Sequence, residues 1–530
     1  MSTCVVWFRK SLRLHDNPAL SAACLDQDIT SIIPLYVLDP AILGQNYENF
    51  GPSRLSFLFE SLRDLDARLS SDYASKLIVL QGDPLTVLEC IGQKLGRNFG
   101  SLFCEYGSEP YERQKLSAIA RSLRTKTRGL KVNSFSAFQT ILDLEETISS
   151  PAYKNPKSMK DMLHLLSSRL GTGDEGFFQV KDPISHPSKL KPLPSDKVFS
   201  STGPPGPLRS YPTDELTNLL PDTLQAEVLS RKSYFRGGET EALSRLQRKV
   251  SGQVDFVNNF RKPQTASTNE LDAPFEPSTT GLSPYLSTGC LSVRILWKEC
   301  EKCYRQGNHS EPPESLHGQL LFREMFYLLS RSVKNWDRDS DNEMCKPISW
   351  DNFKHEKLDA WEKGRTGFPL IDAMMRQLDA TGWMHHLGRH GVSCFLTRGQ
   401  LWQNWMFGRD VFDKKLVDSD WAINNGNWLW LSGVAPFSMP YFRLYNPCPD
   451  AKSSLNVETK SAQFIKFWVP ELKHFPPKYV YEPHLAPSSV QSDSKCVIGK
   501  DYPSPIVDRK QSAKENLIKF KESLARKSSA

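Results

Sequence analysis

Eleven of the twelve tryptophans in this 530-residue chain lie beyond residue 290, and the stretch from Trp383 to Trp430 interleaves them with histidines, arginines and acids in GWMHHLGRH, LWQNW and DSDWAINNGNWLW. Tryptophan usually buries its ring in a core or an interface. Simple packing does not account for this stretch. His385, His386, Arg389 and His390 fall within one and two turns of Trp383, and a buried imidazole or guanidinium needs a hydrogen-bonding partner. The pattern implies a polar cavity walled by aromatic rings, and a flat, conjugated, partly charged ligand suits such walls.

The length predicts two or three domains with ample material for large cores. The eleven cysteines are scattered, and neither a signal peptide nor a run of eighteen apolar residues is present, so a soluble protein in a reducing compartment is expected, with no membrane association. Cys300 and Cys303 form one CxxC, read as two cysteines facing one way on a helix because no second pair stands at zinc spacing. The formal charge of +7 permits a local basic surface for nucleic acid without requiring one.

Residues 4–8, 32–38, 77–80 and 101–104 are apolar runs of strand length, separated by helix-like stretches such as Leu55 to Leu69. That alternation predicts a Rossmann-like α/β domain with a parallel sheet over residues 1–135. Asp16, Asn17 and Pro18 form a turn into a helix, with Pro18 at its first position. Residues 136–230 read as a connector wrapped over the surface, broken by Pro183, Pro187, Pro192, Pro194, Pro204, Pro205 and Pro207. After Gly237 and Gly238 the pattern is helical, giving a mainly α-helical domain over 231–505, followed by a short basic tail, 506–530, in which Gln511 to Ala530 reads as one exposed helix.

Within the helical part, Ser278, Thr279, Thr280, Gly281, Leu282 and Ser283 place hydroxyls and a glycine before a helix-like run. This suits a phosphate, and equally an ordinary N-cap. Asp418 and Asp420 stand two apart without further ligands at metal spacing, so no metal is expected. His386 and His390 are four apart and share one helix face, which makes them a candidate acid/base pair. Trp402 and Trp405, three apart, are compatible with a shared buried face.

The motifs VVWFRKSLRLHDNPAL (Val5 to Leu20), RGGETEAL (Arg236 to Leu243), GLSPYLSTGCLS (Gly281 to Ser292), GQLLFREMFY (Gly318 to Tyr327), GRTGFPLIDAMMRQL (Gly364 to Leu378) and GKDYPSPIV (around Lys500) join the segment Gly382 to Trp430 in one colinear series. That series resembles the cryptochrome/photolyase family, specifically its eukaryotic (6-4) photolyase and animal cryptochrome branch. The resemblance implies FAD, with room in the scheme for a second antenna chromophore, a deazaflavin or a folate. It places the cofactor against Phe256, Thr279, Thr280, Leu282, Ser283, Gln319, Arg323, Arg389, Asp418, Asp420 and Asn424. Arg389 would pair with Asp418, and Asn424 would face the flavin N5 position, where protein groups tune flavin electronics. Trp428, Trp405 and Trp350 match the three tryptophans of an electron-transfer chain, and Trp402 matches a fourth. Trp383, Trp421 and Trp430 are left as packing residues.

By the same resemblance His386 and His390 are the catalytic pair of (6-4) repair, with Gln319 and Phe322 against the lesion. Gln319 stands where enzymes for cyclobutane dimers use Glu. The chain departs from the family at Phe322, where Trp is usual, at Ser287 and Thr288, and in the loop from Pro447 to Lys460. The implied function is light-dependent repair of (6-4) pyrimidine-pyrimidone photoproducts. Its partner would be UV-damaged DNA, gripped by residues such as Arg261, Lys262, Arg398, Lys414 and Lys415, and its form an intracellular, nuclear monomer, with an organelle as the other location. The rival is a cryptochrome-type light sensor or circadian regulator acting through protein partners.

Overall fold

Four of the apolar runs near the N-terminus become strands of one sheet: β1 (Thr3–Phe8), β2 (Ser31–Leu38), β3 (Ile78–Gln81) and β4 (Phe99–Glu105). With β5 (Lys131–Phe135) they form a five-stranded sheet in the order β3-β2-β1-β4-β5, every pair parallel. This computed structural model describes residues 2–127, 129–136, 139–194, 198–202, 206–231, 234–261, 269–270, 273–449 and 461–528. Pro204, Pro205, Lys262 and residues 450–460 of the loop from Pro447 lie outside them.

The central strand β1 is buried along its whole length, as expected where helices cover both faces of a parallel sheet, and this is why its sequence reads as an unbroken apolar run. One core layer joins Val5, Ile33, Leu35, Leu80 and Leu102 of the sheet to Val87, Leu88 and Ile91 of the helix Pro84–Leu95 and to Ile119 and Leu123 of the helix Pro110–Lys126. Proline opens both helices, and also Pro18–Leu25 and Pro52–Tyr73, where its missing N–H has no intrahelical partner to lose. Asn17 caps the first of them by accepting from the Leu20 N–H at 3.0 Å. Strand β5, unforeseen in the sequence, is an edge strand with no fully buried residue.

The contacts divide the chain into two compact units, one comprising Met1–Phe260 with Leu282–Arg331 and the other Arg261–Gly281 with Ser332–Ala530. In the first, the proline-rich connector runs back along the sheet. The Tyr211 N–H donates to the Val79 carbonyl at 2.9 Å and Leu80 bridges Ser210, which covers the hydrogen-bonding edge that β3 would otherwise expose. The connector is not wholly irregular, since it carries the helices Met159–Leu170 and Asp222–Ser230. Cys300 and Cys303 both lie buried on the helix Val293–Tyr304, with free thiols.

On the helix Leu316–Ser332 of this unit, His317 stacks on Trp297 with ring centroids 3.5 Å apart and hydrogen-bonds the Trp297 carbonyl through Nε2 at 3.0 Å. Burial pulls its pKa down to about 3. A histidine held neutral in the fold takes up a proton on unfolding, so its contribution is complete above an unfolded pKa of about 6.5 and is lost as pH falls from there toward 3, at about 1.4 kcal/mol per pH unit. Urea midpoints measured from pH 7 to pH 4 should fall, and His317→Phe should flatten that slope; an unchanged slope in the variant would contradict the assignment.

The second unit is built from helices, chiefly Pro369–Thr381, His386–Cys394, Trp405–Lys415, Trp421–Leu431 and Arg509–Ser528, with a two-stranded antiparallel ribbon, Asn269–Glu270 and Ala273–Pro277. The terminal lysine-rich segment does form a helix, but the expectation of an exposed one is corrected. Asn516, Phe520 and Ser523 lie at helical spacing and are buried, and the Asn516 side chain donates to the Gly399 carbonyl at 2.9 Å. No helix among the described residues is long and apolar enough to cross a membrane.

Candidate active site

The helix His386–Cys394 sets the geometry of the second unit's polar cluster. His385 is its N-cap, with Nδ1 accepting from the Leu387 N–H at 3.2 Å. That bond requires a lone pair on Nδ1, so this histidine serves the helix end. His386 and His390 lie on one face, as their spacing predicts, with ring centroids 5.1 Å apart and planes at 84°. His390 is buried, edge-on to Trp430 at 5.0 Å and to Tyr445 at 5.3 Å, and its Nδ1 hydrogen-bonds the Tyr445 hydroxyl. Burial pushes the Tyr445 phenol up to about 12, so it keeps its proton at neutral pH. The phenol hydroxyl also donates to Met439 Sδ at 3.7 Å, so the His390–Tyr445 bond is compatible with either imidazole tautomer. Neither Tyr445 nor Trp430 was singled out from sequence as a member of this group. Tyr445 follows an aperiodic loop, and Trp430 reads as packing.

One turn away, Arg389 donates from Nε to the Met384 carbonyl at 2.9 Å and from Nη2 to both oxygens of Asp418, at 3.1 and 2.8 Å. The Asp418 carboxylate is almost fully enclosed and the guanidinium is 18% exposed, so the pair brings two opposite, mutually compensating charges into a poorly solvated place. Asp420 caps the helix Trp421–Leu431 by accepting from the Ile423 N–H at 3.0 Å. On the first turn and a half of that helix, Asn424 is buried and its Nδ2 donates to the Arg409 carbonyl at 3.0 Å. A carbonyl only accepts, so this bond fixes which way the amide points and leaves Oδ1 as the free acceptor end.

The four tryptophans matched to an electron path all lie in this unit. Gly408 lets the helices Trp405–Lys415 and Trp421–Leu431 close together, because a Cβ there would come within 2.1 Å of Trp428 Cη2. Trp405 and Trp428 are fully buried and their indole N–H groups have no acceptor. Phe412 and Trp361 wall Trp428 at 5.1 and 6.2 Å. The helix His386–Cys394 continues into a π turn, Phe395–Gly399, broken at Thr397, and the chain reaches Trp402 with φ at +53°. A bulky residue rarely takes this left-handed conformation, and surrounding contacts must hold it. Trp402 packs on the half-buried Trp350 at 4.9 Å.

In the first unit, Gln319, Phe322 and Arg323 share the helix Leu316–Ser332. Gln319 donates to the Pro313 carbonyl at 3.0 Å, and Phe322 is half-buried. The Arg323 guanidinium bonds the carbonyls of Gln139 and, at 3.2 Å, Leu286, and lies 4.8 Å from the Tyr327 ring. Beside it, Glu324 is buried and accepts from the Ile141 and Leu142 N–H groups at 3.0 and 2.8 Å, its pKa raised to about 7 by burial. Leu282 occupies the N-cap position of the helix Ser283–Thr288 and supplies no side-chain hydrogen bond. Ser287 and Thr288 turn their hydroxyls back onto the Pro284 carbonyl, both at 2.9 Å. Phe256 is partly exposed and packs edge-on against Phe260 at 6.0 Å. In the second unit Thr279 and Thr280 are half-buried, just after the two-stranded ribbon.

Two expected phosphate contacts are corrected. Arg398 is buried and donates to the carbonyls of Leu431, Tyr441 and Arg443, at 3.2, 2.8 and 2.8 Å, so it anchors the loop after the Trp421 helix. Lys415 is held between Glu362 and Asp379, at 3.2 and 2.9 Å. Arg261 and Lys414 are exposed.

A parallel α/β sheet in one unit, and in the other an enclosed Arg–Asp pair, an oriented asparagine amide, a histidine pair and a set of buried indoles, make a setting suited to a flat, conjugated cofactor. The comparisons agree. The N-terminal DNA photolyase domain family matches residues 4–174, and the FAD binding domain of DNA photolyase matches residues 315–522. The chain is 38% identical over 539 residues to a (6-4)DNA photolyase of Arabidopsis thaliana, covering 98% of this chain and 88% of that protein. It is 37% identical over 521 residues to Cryptochrome-1 of Rattus norvegicus, covering 98% and 82%. Among solved structures it superposes on a Synechocystis cryptochrome with TM-score 0.80 at 25% identity, covering 98% and 99%, and shares its fold with an archaeal photolyase of Sulfolobus tokodaii bearing two FAD molecules, with TM-score 0.69 at 24% identity, covering 98% and 100%. The chain belongs to the photolyase/cryptochrome family, and FAD is its cofactor.

The side chains fit that cofactor. The enclosed Arg389–Asp418 pair, the second carboxylate Asp420 and the Asn424 acceptor would hold its flavin end.

Proposed function

We propose that the protein is a (6-4) DNA photolyase, a nuclear monomer that repairs pyrimidine-pyrimidone photoproducts under blue light. The observation that supports (6-4) over cyclobutane-dimer chemistry is the edge-to-face pair His386 and His390, backed by Tyr445 and Trp430, a pair that the light-sensor reading shares. Bound FAD supplies light absorption and one-electron donation. The residues of the chain supply the rest. The lesion is drawn out of the stack, as enzymes acting on a base require. His386 gives a proton to the leaving oxygen function and recovers it when the bases are restored. His390, held by Tyr445, orients His386 and contacts the lesion. The Asn424 oxygen would offer a hydrogen-bond acceptor to the bound cofactor. The tryptophans restore reducing equivalents after oxidation.

The rival reading, a light sensor working through protein partners, is supported by the 37% identity to an animal cryptochrome. Binding separates the two. Affinity for a duplex carrying one (6-4) photoproduct should exceed that for the undamaged duplex and fall linearly in a plot of log K against log salt, because phosphate contacts release counterions, with a loss of about 10³ or more between 50 and 200 mM salt if some six or more phosphates are engaged. Equal affinity for both duplexes, or none, would favour the sensor.

A further inference from the structure

We propose that the first unit carries a small-molecule site of its own, a cleft walled by aromatic rings that binds a planar aromatic cation. The cleft shares no residue with those assigned to FAD, to the tryptophan set or to the lesion. It stands whether the protein repairs DNA or senses light.

The cleft holds about 490 Å³ and opens to solvent, a volume within the range of ligand sites. It is built by the helix Met159–Leu170 and the turn after it, by the helix Val293–Tyr304, and by the segment that leads into the helix Leu316–Ser332. Six rings stand in its wall: Phe177, Phe178, Trp297, Tyr304, His309 and His317. Trp297 and Tyr304 are buried and form the floor. His309 stacks on Tyr304 at 4.3 Å and 28°, much as His317 stacks on Trp297. Phe177 and Phe178 are half-buried, and Phe177 lies 6.0 Å from His309, so a ring from each side frames the mouth. The two phenylalanines sit on a tight hairpin. The Gly173 N–H donates to the Phe177 carbonyl at 2.9 Å and the Gln179 N–H to the Gly171 carbonyl at 3.1 Å. Gly176 turns the chain between them with φ at +83°, a conformation that suits glycine. The rings are therefore already in place, and a ligand does not have to order them.

Charge selects the class of ligand. The wall contains Glu175 and Glu311 and neither lysine nor arginine. Glu175 is paired with Arg305 at 3.1 Å, and that guanidinium lies 5.5 Å from the centre of the Phe177 ring. Glu311 pairs with no lysine or arginine among the described residues; its neighbour is His309 Nδ1 at 3.7 Å. The same Nδ1 lies 3.1 Å from the Ser310 carbonyl, which only accepts, so Nδ1 carries a proton and Nε2 of the neutral ring is the acceptor. His317 in the floor is uncharged at neutral pH because it is buried. No positive charge in the wall opposes a cation, while the ring faces and Glu311 favour one. A phosphate or carboxylate would find no basic side chain there.

The test uses three ligands of one shape and different charge: 1-methylnicotinamide, a cation; nicotinamide, neutral; and nicotinate, an anion. Each is titrated into the FAD-loaded full chain in the dark and followed by saturation-transfer NMR. The cation should bind about tenfold more tightly than nicotinamide, combining about threefold from the ring faces with about threefold from one rim carboxylate. Nicotinate should bind most weakly. Glu311→Gln should cost the cation about threefold and leave nicotinamide unchanged. Phe177→Ala should weaken both by about five- to tenfold, as expected for loss of one stacking partner. Both variants should keep the parent's flavin absorbance and thermal unfolding curve; Glu311 is exposed and its substitution removes no core contact. Equal affinity for the three ligands would overturn the proposal, as would no saturable binding of 1-methylnicotinamide at millimolar concentration. Cation binding that neither substitution alters would place the site elsewhere and contradict it equally.

Discussion

His386→Ala should lower repair of (6-4) photoproducts by about a hundred-fold to ten-thousand-fold, the range that a positioned general acid contributes. The reaction has to move a hydroxyl or its equivalent between bases, so an electron alone does not complete it. The substitution removes one imidazole from a half-buried position on the helix His386–Cys394. It leaves the His385 cap and the Arg389–Asp418 pair in place, so flavin absorbance and the photoreduction trace should match the parent. Single-turnover repair under blue light, with flavin content measured on the same samples, separates the two effects. Repair at near-parental yield would show that His386 is not the acid. His390→Ala should be less complete, because it removes the partner of Tyr445 and the orienting contact to His386 while leaving His386 itself.

Trp428→Phe should all but stop photoreduction of the flavin by external reductant, because a phenyl ring is far harder to oxidise than an indole. Trp428 is fully enclosed by Phe412, Trp361 and the close approach of Gly408. The smaller ring leaves a gap, and a loss of about 1–3 kcal/mol of stability is expected for a core truncation of that size. It breaks no hydrogen bond, since the indole N–H has no acceptor. Protein reduced chemically beforehand should still repair, because the step from flavin to lesion does not use the tryptophans. Equal loss of both activities would mean that the substitution had damaged the fold.

The parts of this molecule that could be read from sequence are those where one local rule decides the outcome. The i, i+4 spacing of His386 and His390 put both on one helix face, and the structure finds their rings 5.1 Å apart. Asn17 and Pro18 start a helix because a side-chain acceptor and a residue without an N–H suit that end. Strand β1 was legible because both of its faces are covered. What stayed hidden depends on tertiary context. The KVNSF of β5 looks like a loop because an edge strand alternates little and buries little. Arg398 carries no mark in sequence that distinguishes a phosphate ligand from a buried anchor of three carbonyls. Tyr445 reaches His390 from 55 residues away across an aperiodic loop. The terminal helix reads as solvent-facing because its buried stripe consists of an asparagine, a phenylalanine and a serine, only one of them apolar.

The central claim is repair, and it is tested most directly by illuminating the reduced, FAD-loaded protein with an oligonucleotide carrying a single (6-4) photoproduct and measuring restored thymines by chromatography. The account predicts blue-light-dependent restoration that is absent in the dark and nearly absent in His386→Ala. A parent protein that binds FAD and photoreduces normally, yet restores no bases, would contradict it and leave the sensor reading in its place.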